Sequence, residues 1–107
     1  MADNDLDLLK LAAKAAGIIV EADGRFAYPH GLWNPITDDG DALRLAVCLH
    51  LDINQFPVTN GYVGMIEIWC NGDGDPAHVE YVRSEDDRLA ATRRAIVRAA
   101  AEIGGKL

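Results

Sequence analysis

The sequence predicts an α+β domain: an antiparallel sheet of about five short strands with three helices, in the order α-β-β-α-β-β-β-α. Three observations predict it. Apolar residues recur at helical spacing near both ends of the chain and once in its middle. Alternating or β-branched stretches fill the intervals, and turn formers separate them at Asp23-Gly24, at Asn60-Gly61 and from Asn71 to Pro76. The 107 residues suffice for one hydrophobic core and not for two, so residues 1–107 are read as a single compact domain.

The first helix starts near Asp5, with Asp3, Asn4 and Asp5 able to cap it, carries Leu8, Leu9, Leu11, Ala12, Ala15 and Ala16, and stops at Gly17. Ile18-Ile19-Val20 and Arg25-Phe26-Ala27-Tyr28 flank Asp23-Gly24 as a short hairpin. Two prolines then interrupt regular structure around Trp33 in Pro29-His30-Gly31-Leu32-Trp33-Asn34-Pro35. Thr37 or Asp38 caps a second helix over residues 38–50, with Asp39 and Asp41 near its positive end and Leu43, Ala46, Val47 and His50 on its apolar face. Strands follow at 51–54, 62–70 and 77–82, joined as an antiparallel meander. Ser84 opens the closing helix, Asp87 stands in the reciprocal capping-box position, and Leu89, Arg93, Ile96, Val97, Ala100 and Ile103 trace the buried stripe up to Gly104-Gly105.

Composition narrows the partners. The net charge of −7 is the wrong sign for a duplex nucleic-acid binder, because phosphate backbones are held mainly by Lys and Arg. Apolar runs fall far short of the roughly 20 residues needed to span a membrane. The N-terminal Met1-Ala2-Asp3-Asn4-Asp5 lacks the basic and apolar regions of a secretory signal, and Cys48 and Cys70 form no framework spacing. Buried free thiols in a reducing cytoplasm are therefore expected.

No motif for a catalytic residue, a cofactor or a metal stands out. Asn71-x-Asp73-x-Asp75 starts like a calcium loop but has Pro76 where glycine is required and Val82 where a bidentate glutamate belongs. His78-x-Glu80 echoes a zinc deaminase without the accompanying P-C-x-x-C, and its plainer reading is the solvent face of an alternating strand. His30, His50 and His78 lack paired metal-ligand spacing.

Charge distribution is more informative. Residues 1–82 carry 13 acids and 4 bases, whereas 83–107 carry 4 acids and 6 bases. Asp38, Asp39 and Asp41 beside Trp33 make a candidate protein-binding patch of aromatic and carboxylate groups, with helix capping and a core tryptophan as the plain reading. Arg88, Arg94 and Arg98 of the closing helix, with Trp69 to stack on a ring, make a candidate ligand site for a nucleotide-like or phosphate-bearing small molecule. The plain reading of those arginines is a solvated helix face with local ion pairs.

Trp33-Asn34-Pro35, Thr37-Asp38 and the closing Arg94-Ala95-Ile96-Val97-Arg98-Ala99 through Gly104 give the chain a likeness across most of its length. It resembles small bacteriophage- and prophage-encoded proteins of the NinX-like kind. The resemblance implies an accessory product acting in a bacterial cytoplasm, and it carries over no catalytic residue.

The expected function is thus non-enzymatic: binding a host protein partner, such as a defence or regulatory factor that it would inhibit. The alternatives are a small-ligand binder in which Trp33 or Trp69 stacks on a ring and the arginines hold its phosphate, and an enzyme whose histidines are assembled by the fold. A sheet edge or the apolar side of the first helix would be open to a second copy, giving a homodimer.

Overall fold

The computed structural model describes residues 5–20, 26–27, 33–70 and 74–107. Helix α1, Asp5–Ala16, has Asp5 and Asp7 in its first turn and Lys14 in its last, each sign matched to the helix dipole. Its expected caps at Asp3 and Asn4 lie outside the described residues. At its other end Gly17 takes φ 76°. There Gly17 N donates to Lys14 O at 3.3 Å and Ile18 N to Ala13 O at 2.8 Å, the paired bonds of a Schellman termination.

Strands β1, Ile19–Val20, and β2, Phe26–Ala27, pair antiparallel, with Ile19 opposite Ala27 and Val20 opposite Phe26. The expected turn at Asp23-Gly24 lies outside the described residues. Strands β3, Leu51–Phe56, β4, Gly64–Cys70, and β5, His78–Val82, form a separate antiparallel sheet in the order β3-β4-β5. The single five-stranded sheet is therefore corrected to a three-stranded sheet and a two-stranded hairpin. The Schellman turn ties β1 directly to the end of α1, and α1 is a helix against which β1 packs. β4 starts at Gly64 rather than at 62 because Tyr62 is held in a tight turn, exchanging backbone bonds of 2.9 and 3.1 Å with Thr59.

Helix α2, Asp39–Cys48, is capped by Asp38, whose Oδ2 accepts from Asp41 N at 2.8 Å. It buries Asp41, Ala42, Leu45 and Ala46. The expected apolar face was Leu43, Ala46, Val47 and His50, yet Leu43 and Val47 are 61% and 66% exposed. Asp41 is the cause: it turns inward to receive Asn34 N, and that fixes the rotation of the helix. The helix also ends before 50. His50 takes φ 55° and donates N–H to Val47 O at 3.1 Å, filling the left-handed position that usually suits glycine.

A 3-10 turn, Glu85–Asp87, leads into helix α3, Arg88–Gly105. Ser84 Oγ accepts from Asp86 N at 3.3 Å, so it caps that turn, and no reciprocal Asp87 side-chain bond completes a capping box. α3 is the centre of the structure. It packs against α1, α2, β4 and β5, and it buries Ala91, Ala95, Ile96, Val97, Ala99, Ala100, Ala101 and Gly104. Leu89, expected in the buried stripe, is 66% exposed because it sits in the first turn, ahead of that packing.

The helix ends at the expected Gly104-Gly105 pair, with Gly104 itself inside α3 and buried. A Cβ at this position would overlap the Leu11 carbonyl oxygen, so glycine is what lets α1 and α3 approach. The core joins Leu9, Ala12 and Ala13 of α1 to Ile66 and Ile68 of β4, with Val97 and Ala100 between. Trp33 is buried and meets Phe26 edge-to-face at 5.0 Å, which fastens the hairpin to this core.

Two outcomes follow. Gly104→Ala forces α1 and α3 apart and lowers unfolding stability by about 1–3 kcal/mol or more, read from urea denaturation. His50→Gly relieves the left-handed strain and raises stability by about 0.5–1 kcal/mol in the same assay.

Candidate functional site

The acidic segment beside Trp33 is a structural knot. Asp41 Oδ2 accepts from Asn34 N at 2.9 Å, and its Oδ1 accepts from Arg44 Nη2 at 2.7 Å. Asn34 Oδ1 accepts from Ile36 N at 3.0 Å, and Asn34 O from Asp38 N at 2.9 Å. Arg93 of α3 reaches across, donating from Nε to Ile36 O at 2.7 Å and from Nη1 to Asp39 Oδ1 at 2.6 Å. The loop 33–38 is thereby pinned to two helices. Trp33 and Asp41 are both buried, whereas Asp38 and Asp39 are exposed, so the four residues do not form one open patch. Trp33 instead borders a cavity of about 210 Å³ with Ala16, Ile18, Arg44, Leu45 and Cys48.

The arginines expected to share a ligand site divide between two places. Arg88 closes a second knot at the start of α3, forking onto Glu85 with Nε at 3.1 Å and Nη2 at 2.7 Å. It also donates to Gln55 Oε1 at 2.8 Å and Phe56 O at 2.9 Å, which ties α3 to the end of β3. Arg94 and Arg98 lie further along α3 and converge on Glu80 of β5. Arg98 Nη1 donates to both Glu80 oxygens at 2.9 and 3.0 Å, His78 Nε2 lies 2.8 Å from Oε1, and Arg94 Nε stands 3.6 Å from Oε2.

His78 and Glu80 were expected on the solvent face of their strand; they face the helices instead. The register puts Glu80 beside Ile66 and His78 beside Ile68, both core residues, and the Glu80 side chain is only 12% exposed. Trp69 alternates to the opposite face. The sheet thus separates it from the Glu80 group, and the expected stacking of a ligand on Trp69 above Arg94 and Arg98 does not assemble.

That opposite face is the feature the sequence reading missed. Phe56 stands beside Met65 and Met65 beside Tyr81, one row across all three strands. The next row is Asn54, Glu67 and Val79, and beyond it Asp52 pairs with Trp69. Phe56 is 42% and Tyr81 64% exposed, and Met65, Trp69 and Val79 are partly exposed. Trp69 Nε1 donates to Glu67 Oε1 at 3.2 Å, so the indole's polar atom is satisfied on this face. All three helices pack on the other side or above it, and the charged groups in these rows are the carboxylates Asp52 and Glu67. The signal was present in Met65-Ile66-Glu67-Ile68-Trp69, where Ile66 and Ile68 fill one parity and the other still carries Met65 and Trp69 around Glu67, more apolar surface than one covered face requires.

The remaining reactive side chains stay apart. Cys48 is exposed, not buried as expected, because it falls outside the Ala42–Leu45–Ala46 side of α2; Cys70 is half-buried, and both are free. His30 and most of the Asn71–Asp75 turn lie outside the described residues. Among the described residues no three His, Cys, Asp or Glu side chains gather as a metal-binding group. None of their helices is long and apolar enough to cross a membrane. No family model, no curated protein and no solved structure matches the chain.

Two carboxylates are held below their ordinary range. Burial pushes Glu80 up, but the hydrogen bond from His78 and the charge and hydrogen bond of Arg98 together bring it lower. Hydrogen bonds from Arg88 and from the Val58 N–H hold Glu85 at about 2. A carboxylate acidified by folding stabilises fully above its unfolded value and loses that contribution as pH falls through the folded one. For Glu85 the window runs from the ordinary value of 4.5 down to about 2. Glu85→Gln is therefore less stable than the parent at neutral pH, and urea midpoints measured at intervals into this acid range show the gap closing.

Proposed function

We propose that this chain is a non-enzymatic accessory protein, of the phage or prophage kind it resembles, that binds a protein partner through the uncovered face of its three-stranded sheet. One observation carries the reading: the row Phe56, Met65, Tyr81 with Trp69 beyond it, an aromatic surface with no helix over it among the described residues. Aromatic residues and methionine are the types enriched at protein interfaces, and two χ angles per ring keep the ordering cost of binding low.

Asp52 and Glu67 specify the partner's chemistry. A segment bearing Lys or Arg gains both the carboxylates and the ring faces, since cations sit well over Trp, Tyr and Phe. An acidic chain carrying net charge −7 also attracts such a partner at long range. Asp38, Asp39 and Asp41 serve this reading indirectly, by fixing the helix layer behind the sheet.

Photo-crosslinking tests the proposal. Tyr81→p-benzoylphenylalanine in bacterial lysate captures a defined partner, and Asp52→Lys with Glu67→Lys lowers capture by about tenfold or more, the loss expected of an interface anchor. Circular dichroism of the charge variant stays that of the parent. Equal capture by parent and variant rejects this face as the binding surface.

A further inference from the structure

The sheet has two edges, β3 and β5, and they are built differently. An edge strand offers unpaired backbone N–H and C=O groups to any passing strand, and one natural guard is a charged residue turned inward on it. β5 has that guard. His78 and Glu80 point to the helix side and are joined there by Arg94 and Arg98, so a strand added along β5 meets a ring of charge.

β3 carries no inward charge of its own, and the Arg88–Glu85 pair reaches only its last two residues, Gln55 and Phe56. Leu51–Phe56 contains no Lys, Arg or Pro, its one charge is Asp52, and it runs against β4 in unbroken register from Leu51–Cys70 to Phe56–Met65. Among the described residues no strand lies beyond it. The helix that packs on β3 is α2, and it leaves Leu43 and Val47 exposed one turn apart. An open strand edge thus adjoins a helix that leaves two large apolar residues in water.

We infer that this side is a two-fold interface with a second copy of the chain, β3 pairing antiparallel with its counterpart into one six-stranded sheet while the Leu43–Val47 stripes cover each other. A strand that pairs antiparallel with itself about a dyad is self-complementary, so the same patch serves both copies. The charge pattern allows it. With the dyad at Ile53 or at Asn54, Asp52 stands opposite Asn54 or Phe56 of the second copy and never opposite itself, so the one charge on the strand meets no like charge.

Size sets the strength. Six residues give about 20 Å of edge, and the helix layer lies about 10 Å above it. The contact therefore falls near or below the low end of specific interfaces, about 1,200 Å² in total, the size class of weak and transient associations. The aromatic sheet face remains open in this arrangement, so dimerisation and partner capture succeed or fail separately.

Sedimentation velocity of the full chain from about 1 to about 300 µM, with amide hydrogen exchange at both ends of that range, tests the inference. The parent shifts from monomer to dimer, and amides of residues 51–56 exchange more slowly at the higher concentration. Leu43→Lys with Val47→Lys, both on exposed positions, keeps the parent's circular dichroism and stays monomeric throughout. A parent that remains monomeric at about 300 µM overturns the proposal. A dimer with unchanged exchange at 51–56 overturns the strand pairing, and one that persists in the double variant overturns the helix contact.

Discussion

α3 has neighbours on so many sides that its own side chains must be small. With α1, α2 and the sheet all packed against it, the helix has room for five buried alanines and a buried glycine but for few larger groups. Ile96 and Val97 are the exceptions. Close approach converts this poverty of side-chain volume into dense contact, and density is what dispersion rewards. Gly104 against the Leu11 carbonyl is the tightest point of that arrangement. The same constraint disposes of the arginines. Lacking a broad solvent face, α3 sends Arg88 to β3, Arg93 to the Asn34–Asp39 loop, and Arg94 and Arg98 to Glu80, so the basic end of the sequence acts as a set of clamps.

The loop clamp has consequences beyond its own residues. Because Asp41 receives Asn34 N and Arg44 while Asp38 caps the helix, α2 is rotated by its polar residues rather than by its hydrophobic ones. A charged group with two close donors tolerates burial that an unpaired one would not. Leu43 and Val47 are left outside as a result, an apolar cost that a hydrophobicity pattern alone would never predict.

Element order was legible in the sequence, and so were the end of α1, whose Gly17 termination is local chemistry, and the cap of α2 as one of two candidates, Thr37 or Asp38, of which Asp38 takes the role. What was not legible is which way each element faces. His78 and Glu80 read as solvent-facing because alternation gives two faces without saying which is covered; only the pairing of β5 with Ile66 and Ile68 decides it. Helical spacing likewise offered Leu43 and Val47 as core because the competing claim of Asp41 depends on Asn34, seven residues away. The candidate surface suffered most. Phe56, Met65 and Tyr81 lie far apart in the chain and become one row only through register, while Trp69 and the arginines, grouped by type, end on opposite sides of the sheet.

The two sheet faces make the functional argument in energetic form. On the helix side, Ile53, Ile66, Ile68 and Val82 join or pack against the core, and the Glu80 carboxylate is answered by Arg98 and bonded to His78. On the other side, apolar side chains of comparable size remain partly in water, where each large one forgoes part of the roughly 1.5–3 kcal/mol that full burial contributes. Folding alone does not require Phe56, Met65 and Tyr81 to be apolar, because a one-sided antiparallel sheet needs only its inner face apolar. An aromatic row on the outer face, with acidic residues among the rings, is the feature on which the proposed binding to a basic partner rests.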